Sequence, residues 1–214
     1  MKKIMQTLMF SALVVPTNTE SEWQKLQFKS IPSHEVKFTE NGMKLKVSKS
    51  AMPIIYPLKS KKLVRSVRFK IKFDQLIQLP KDKTQGEKGT DDYVFKIGLV
   101  FPGEQTLNWF QKKIAAKWVT TLFDLASGGG VDYILFYGVY QQKNLSKSTQ
   151  THPLGKGLIK VKNEWFVEKP GEYEFEVKLE KPRRVLALWL SSDGDDTGSS
   201  FNVEIQKLEV ERLP

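Results

Sequence analysis

The stretch Leu63-Val64-Arg65-Ser66-Val67-Arg68-Phe69-Lys70-Ile71-Lys72-Phe73 decides the fold class. From Val67 onward every second residue is apolar, and Arg68, Lys70 and Lys72 fill the positions between. Successive side chains of a pleated strand point to opposite faces, so this spacing predicts a strand buried on one side and wet on the other. Leu63 is expected on the buried face with Val67, Phe69, Ile71 and Phe73. The same period recurs outward from this run. Met43, Leu45 and Val47 alternate with Lys44, Lys46 and Ser48; Tyr93, Phe95, Ile97, Leu99 and Phe101 share a face; Tyr173, Phe175, Val177 and Leu179 alternate with Glu174, Glu176, Lys178 and Glu180. Val131 to Tyr140 and Val185 to Leu190 are apolar on both faces and are expected as central strands. After Phe201, the pair Val203 and Ile205 is out of phase with Leu208 and Val210, which calls for a β-bulge near Gln206-Lys207. Together these runs predict an all-β, jelly-roll-like antiparallel sandwich of about eight to ten strands.

One segment breaks the alternation. Between Thr106 and Leu125, Leu107, Phe110, Ile114, Trp118, Leu122 and Leu125 recur at three- and four-residue steps, with Gln111, Lys112, Lys113 and Lys117 between them. This predicts an inserted amphipathic helix over 106–125, stopped by Ser127-Gly128-Gly129-Gly130. It either packs on the sandwich or, because its polar face is basic, meets a membrane surface. The polar loops Pro80 to Asp92 and Gln141 to Lys156 are expected to be exposed. There is no internal repeat and no interdomain linker.

The N-terminus reads as a targeting segment over residues 1–18, leaving one domain over 19–214. Lys2 and Lys3 precede an apolar run from Ile4 to Val15, too short to span a bilayer, and a polar stretch follows from Thr17. A signal peptide cut near Thr17 implies a periplasmic or secreted protein. A membrane-tethered or uncleaved N-terminus is the alternative, since there is no A-x-A box and Pro16 stands at the cut. The formal charge is +10, two fewer if Lys2 and Lys3 leave. Such a charge favours anionic partners, yet the lysines are scattered, with no arginine-rich arm or recognition helix, which disfavours nucleic acid. The absence of cysteine excludes disulfides, thiolate metal sites and cysteine nucleophiles.

Most catalytic constellations are missing. His34 and His152 are the only histidines, too few for a histidine metal cluster, and both lie in polar surroundings ill suited to a triad; there is no P-loop and no nucleophile elbow. What remains is acidic. Gly89-Thr90-Asp91-Asp92-Tyr93 leads into one strand, and Ser192-Asp193-Gly194-Asp195-Asp196-Thr197-Gly198 follows another. If those strands are antiparallel neighbours, the carboxylates gather at one rim. Three uses are open: turn-making through bonds to nearby backbone N–H groups; a hard cation such as Ca²⁺ on Asp91, Asp193, Asp195 and Asp196; or a general acid and base in a hydrolase. Asp92, Tyr93, Lys96 and Thr197 are the candidate ligand-binding residues beside them. Of the tryptophans, Trp118 and Trp189 are expected in the core. Trp109 neighbours the helix stripe, Trp23 opens the mature chain, and Trp165 is the one placed near the rim as a ligand platform.

At these acidic motifs the chain resembles a bacterial family catalogued as domain of unknown function family 3047. That family's pattern has a G-D-D-aromatic stretch entering a strand, with a basic residue three positions beyond the aromatic. Near its end a hydrophobic strand runs into D-x-D-x-T-G. Here Asp91-Asp92-Tyr93 matches the first motif, with Thr90 inserted after Gly89 and Lys96 where the family favours arginine. Asp193, Asp195, Thr197 and Gly198 match the second. Val131, Tyr133 and Leu135 correspond to an aromatic L-x-Y-x-W strand, without its tryptophan. The likeness runs from residue 22 to the C-terminus, and the helical insertion is long for the family. It implies an envelope-associated, galactose-binding-like sandwich and carries no assigned activity. The expected function is a non-catalytic module for carbohydrate or another cell-envelope ligand, anionic ones included. A hydrolase with paired aspartates and a subunit that docks a membrane or protein partner are the alternatives.

Overall fold

The computed structural model describes residues 10–59, 62–108, 111, 113, 115–126, 130–145, 149–151 and 157–213. Among them the elements run β1 (Ser11–Val14), β2 (Gln24–Lys25), β3 (Glu35–Thr39), β4 (Gly42–Ser48), β5 (Ile54–Pro57), β6 (Leu63–Phe73), β7 (Lys96–Gly103), α1 (Lys117–Asp124), β8 (Gly130–Tyr140), β9 (Thr149–Thr151), β10 (Ile159–Phe166), β11 (Gly171–Arg184), β12 (Ala187–Ser191) and β13 (Ser200–Arg212). They form two stacked sheets. The first has the order β11-β6-β13-β4-β3, with β1 also on β13; the second has the order β2-β5-β12-β7-β8-β10-β9. Every pairing is antiparallel except β8 with β10. This is the expected β-sandwich.

The alternation does what it predicts. Met43, Leu45, Phe69, Ile71 and Ile205 of the first sheet face Ile97, Leu99, Leu188 and Leu190 of the second in one continuous core. Their charged neighbours cover the outer face of the first sheet in cross-strand pairs such as Lys70 with Glu172 and Arg68 with Glu176. The expected bulge lies between Ile205 and Lys207. It returns Leu208 and Val210 to the core side, so Val203, Ile205, Leu208 and Val210 are all buried. A further slip on β6 lets Glu211 pair with Ser66 while Arg212 pairs with Val64. That extra residue turns Val64 inward and leaves Leu63 39% exposed, a correction to the face assigned to Leu63.

The central strands β8 and β12 are apolar on both sides because the second sheet is covered on both faces. Its outer face carries its own cluster, in which Ile55, Ile134, Phe136, Val161 and Trp189 pack under Leu122 and Ala126. The helix expected over 106–125 is interrupted: Gln111 and Lys113 are helical, the helix breaks at Ala115 and Ala116, and α1 follows, while residues 109, 110, 112 and 114 lie outside the described residues. Ala116 is extended (φ −61°, ψ 147°), no side chain caps the N-terminus and the first turn has no acidic residue. Val119, Thr120 and Thr121 are β-branched and weaken the helix further, so tertiary packing sets its extent. Its apolar side is spent on the sheet: Leu122 is fully buried and Trp118 lies 5.6 Å from Trp189, edge to face. No helix among the described residues is long and apolar enough to cross a membrane.

The chain joins the sandwich ahead of the boundary expected at residue 19. Ser11–Val14 pairs with Glu209–Arg212, Val15 is 1% exposed, and the Trp23 indole N–H donates to the Pro16 carbonyl at 2.7 Å. The second half of the apolar run read as a leader therefore supplies an edge strand. Trp109, His152 and residues 127–129 of the expected helix stop lie outside the described residues.

Candidate functional site

The loop over Pro80 to Asp92 is largely exposed, as expected, but it is anchored by three buried residues, Gln85, Thr90 and Asp92. Gln85 is wholly buried and ties three segments together. Its N–H donates to the Gln142 side chain (2.8 Å), its amide nitrogen to the Asp92 carbonyl (3.0 Å), and its amide oxygen accepts from the Gln141 N–H (3.0 Å). This fixes where Asp92 and Tyr93 leave the loop. Tyr93 does not share a face with Phe95 and Ile97. It precedes the strand, turns to the outer side of the second sheet, and its hydroxyl donates to Asn163 at 2.8 Å. The bare backbone of Gly138 on β8 makes room for its ring, since a Cβ there would stand 2.8 Å from ring carbons of Tyr93.

The two acidic motifs adjoin, as the strand order required: β12 and β7 are antiparallel neighbours, with Ser191 opposite Lys96. Their carboxylates, however, have separate jobs. Asp92 is 1% exposed and clamps the second motif, accepting from the Thr197 N–H (2.7 Å), the Thr197 hydroxyl (2.6 Å) and, at 3.4 Å, the Asp196 N–H. Burial pushes its carboxyl up from the ordinary value, and the Thr197 donors pull against that. The turn they hold closes at Gly198, whose φ of +67° favours glycine. Asp193 accepts from the Ser191 hydroxyl (2.8 Å) and pairs with the Lys96 ammonium (2.7 Å), where the two side chains are only 11% and 8% exposed. That ammonium also lies 4.6 Å from the Tyr93 ring centroid. Burial opposes the charge on Lys96, but Asp193 and Asp91 outweigh it and hold its pKa above the usual lysine value. Asp196 accepts from the Asp91 N–H at 3.3 Å.

Asp195 differs. Half-buried, it bonds its own backbone N–H and, among the described residues, no other residue. Burial, with the charges of Asp193, Asp92 and Asp196, pushes its carboxyl up to about 6.

These findings correct several expectations. Asp91, Asp193, Asp195 and Asp196 do not converge as cation ligands; among the described residues no group of three or more acidic or histidine side chains could hold a metal ion. A hydrolase pair needs two opposed, available carboxylates, and Asp92 and Asp193 are engaged in internal bonds. Thr197 and Tyr93 are structural partners. Trp165 is not beside the acids: it stacks on Phe175 (4.9 Å) at the edge of the inter-sheet core, because a bulge between Asn163 and Trp165 changes its face. His34 donates to or accepts from Ser50 at 2.8 Å, with both buried, and burial lowers its pKa although Asp193 and Ser192 resist.

What the arrangement builds is a cavity of about 350 Å³ on the outer face of the second sheet, between α1, the segment around Phe28 and the acidic turns. Phe28, Trp118, Phe136 and Trp189 contribute its aromatic lining, and Lys96, Asp193 and Asp195 are among its charged lining. The Trp189 indole N–H has no partner although the residue is 3% exposed. A larger concavity of about 410 Å³ lies among the charges of the first sheet, around Lys44, Lys46, Lys72 and Glu204, and has a single aromatic in its wall. Sequence reasoning missed the aromatic wall because Trp118, Phe136 and Trp189 sit on patterns that signal core, and they are core and cavity lining at once.

No family model matches the chain, and no curated protein is similar to it. Solved structures are similar in fold. A family 11 carbohydrate-binding module from Clostridium thermocellum, in complex with a β-1,3-1,4-mixed-linked tetrasaccharide, aligns over 93% of this chain and 94% of its own, at 6% identity and a TM-score of 0.42. A xylan-binding module aligns over 95% and 96%, at 8% identity and 0.39. A family 29 carbohydrate-binding module complexed with cellulohexaose aligns over 94% and 91%, at 9% identity and 0.39. The likeness is one of β-sandwich architecture.

Proposed function

We propose that the protein is a non-catalytic binding module and that the cavity on the outer face of its second sheet takes a carbohydrate. The observation that carries this is the pairing, in one cavity, of an aromatic wall with a half-buried carboxylate that bonds no other described residue. Sugars are amphipathic: their C–H faces pack on aromatic rings while their hydroxyls donate to carboxylates and accept from N–H groups. Trp118 and Phe28 supply the rings and Asp195 an acceptor. About 350 Å³ is within the range of small-ligand sites and suits one or two sugar rings. The aspartates that a hydrolase would use already serve the fold, which favours binding over catalysis. An anionic envelope ligand is unfavourable in this cavity, whose wall is rich in carboxylates.

The test is a panel of oligosaccharides read by tryptophan fluorescence and calorimetry. A binder should be found whose affinity falls at least tenfold in Trp118→Ala, measured at a temperature where circular dichroism shows the variant folded, since Trp118 also packs on Trp189. A panel with no binder, or one indifferent to Trp118, removes the proposal.

The resemblance to the family of unknown function belongs to the same proposal. The residues it shares with this chain would then be the Asp92–Thr197 clamp and the Lys96–Asp193 pair, which shape the cavity floor. We also propose that the chain works outside the cytoplasm with its N-terminal segment retained. Cleavage near Thr17 would remove β1 and the Pro16 carbonyl that receives Trp23. The intact mass of exported protein decides this: loss of residues 1–16 would count against retention, and protein confined to the cytoplasm against export.

A further inference from the structure

The end of the sandwich remote from the acidic turns combines exposed cations with exposed apolar side chains. Strand pairing brings its parts together: Arg184 lies opposite Leu63, the Leu213 N–H donates to the Leu63 carbonyl, and Arg212 lies opposite both Val64 and Ser11. Lys181, Arg183 and Arg184 are exposed on this rim and Arg65 is half-buried. The Arg65 guanidinium lies 5.0 Å from the Phe10 ring centroid, and Arg183 donates to the Tyr133 hydroxyl at 2.7 Å. None of these four cations holds an ion pair among the described residues, whereas Lys44, Arg68 and Lys70 on the same sheet are each paired with a glutamate. Of the carboxylates close by, Glu211 accepts from the Ser66 hydroxyl at 2.9 Å, Glu209 is paired with Lys207 at 3.1 Å, and Glu180 is exposed. Phe10, Val14 and Leu63, at 41%, 64% and 39%, are the exposed large hydrophobic side chains among the described residues, and all three lie on this rim or the β1 edge that adjoins it. On the rest of that sheet's outer face the corresponding positions are polar or charged.

We propose that this rim docks the protein on an anionic lipid bilayer. Each cation held near anionic headgroups raises affinity about fivefold. Phe10, Val14 and Leu63 can enter the boundary with the acyl chains while the longer basic side chains stay at headgroup level. A nucleic acid would answer the charge but offers no apolar phase to these three residues, which favours the bilayer. The distribution of charge along the molecule also orients it. Strand β13 runs from Ser200, just past the acidic turn, to Arg212 at the rim, thirteen residues or about 40 Å of strand. Docking by the basic rim therefore keeps the carboxylates of the acidic turns away from the headgroups and leaves the cavity beside them facing solvent. The inference does not depend on what that cavity binds.

The experiment is co-sedimentation of the full chain with unilamellar vesicles of phosphatidylcholine, alone or with about one lipid in three replaced by phosphatidylglycerol, in roughly 0.1 M salt. Partitioning into the anionic vesicles is expected to exceed that into the neutral ones by about tenfold or more. The double variant Lys181→Glu, Arg184→Glu should lower it by at least about tenfold. Neither residue holds a hydrogen bond or ion pair among the described residues, so the fold is not at issue. Lys81→Glu with Lys88→Glu makes the same change of net charge on the exposed loop that leads into the acidic turns, and should lower partitioning by no more than about twofold. Leu63→Ser, with its fold checked by circular dichroism, should weaken vesicle binding and leave binding to a DNA duplex unchanged. Equal partitioning into both kinds of vesicle overturns the proposal. So does an equal loss in the two double variants, which would reduce the effect to net charge. Tighter binding to the duplex than to the vesicles, with no response to Leu63→Ser, would make the rim a polyanion surface and overturn the bilayer as its partner. Sugar binding is read separately, so none of these results bears on the carbohydrate reading.

Discussion

Breaking the Lys96–Asp193 pair should cost far more than removing it. The ammonium and carboxylate lie 2.7 Å apart with side chains 8% and 11% exposed, so neither has much access to water. At an effective dielectric constant near 20, their attraction is about 6 kcal/mol. Most of this is offset by the desolvation of both groups, so the pair is worth little against an apolar substitute of equal volume. Removing one partner leaves the other charge buried and uncompensated, at about 3–5 kcal/mol. Lys96→Met isolates that term, because methionine keeps the contact of the side-chain stem with Tyr93 and Phe136. We therefore expect Lys96→Met to destabilise by about 3–5 kcal/mol and Asp193→Asn by a similar amount. The double variant should fall short of their sum by at least about 2 kcal/mol. Urea unfolding measures all three, provided the m-value is shared. Additivity within about 0.5 kcal/mol would refute the reasoning: Asp193 would then be available to a ligand, and the division of labour among the aspartates would be wrong.

Asp195 should behave in the opposite way. Its folded-state value, near 6, lies above the ordinary 3.8. The ionised group therefore costs the fold above pH 6, and the cost is relieved as the pH falls from 6 towards 4. The displacement corresponds to about 3 kcal/mol, which solvent screening of a half-buried group reduces to about 1 kcal/mol. Asp195→Asn should stabilise the protein by that amount at pH 7 and by nothing at pH 4. A loss of stability at pH 7 would mean that Asp195 holds a structural bond. Asp92→Ala should cost about 2–4 kcal/mol, because it strands the Thr197 hydroxyl and two backbone N–H groups; Asp92→Asn, which keeps an acceptor, should cost about half of that. If Asp92→Ala melts like the wild type and only ligand binding suffers, the clamp is misassigned.

The sheet layout was legible to the extent that one face of each strand was wet. For β4, β6, β11 and β13 the lysines and glutamates mark solvent, and even the bulge at Ile205/Lys207 follows from the phase of Val203, Ile205, Leu208 and Val210. Legibility failed where the local rule was overridden from outside. Leu63 is turned out by an extra residue in β6 opposite Glu211 and Arg212, and Trp165 by a bulge next to Asn163. Over 106–125 the apolar spacing reports a buried stripe without reporting that Ala116 is extended and breaks the helix. Ser11–Val14 carries the apolar content of a leader and of an edge strand equally.

The acidic motifs show why a site is harder to read than a fold. That Asp92 and Asp195 meet followed from strand adjacency, which alternation constrains. What each carboxylate does depends on partners that adjacency does not specify: a threonine hydroxyl for Asp92, a buried lysine for Asp193, its own backbone N–H for Asp195. Chemically identical groups on two adjoining turns thus act as clamp, counter-ion and half-buried local acceptor. The aromatic wall compounds the difficulty, since Trp189 on a strand buried along its whole length and Trp118 on a helical stripe carry the signature of packing. The cavity lies beside this packing, with Trp118 and Trp189 both in its lining. The break in the helix at Ala116, which the apolar stripe does not report, therefore sets where the part that packs on Trp189 begins, and with it the place of Trp118 beside the acidic turns.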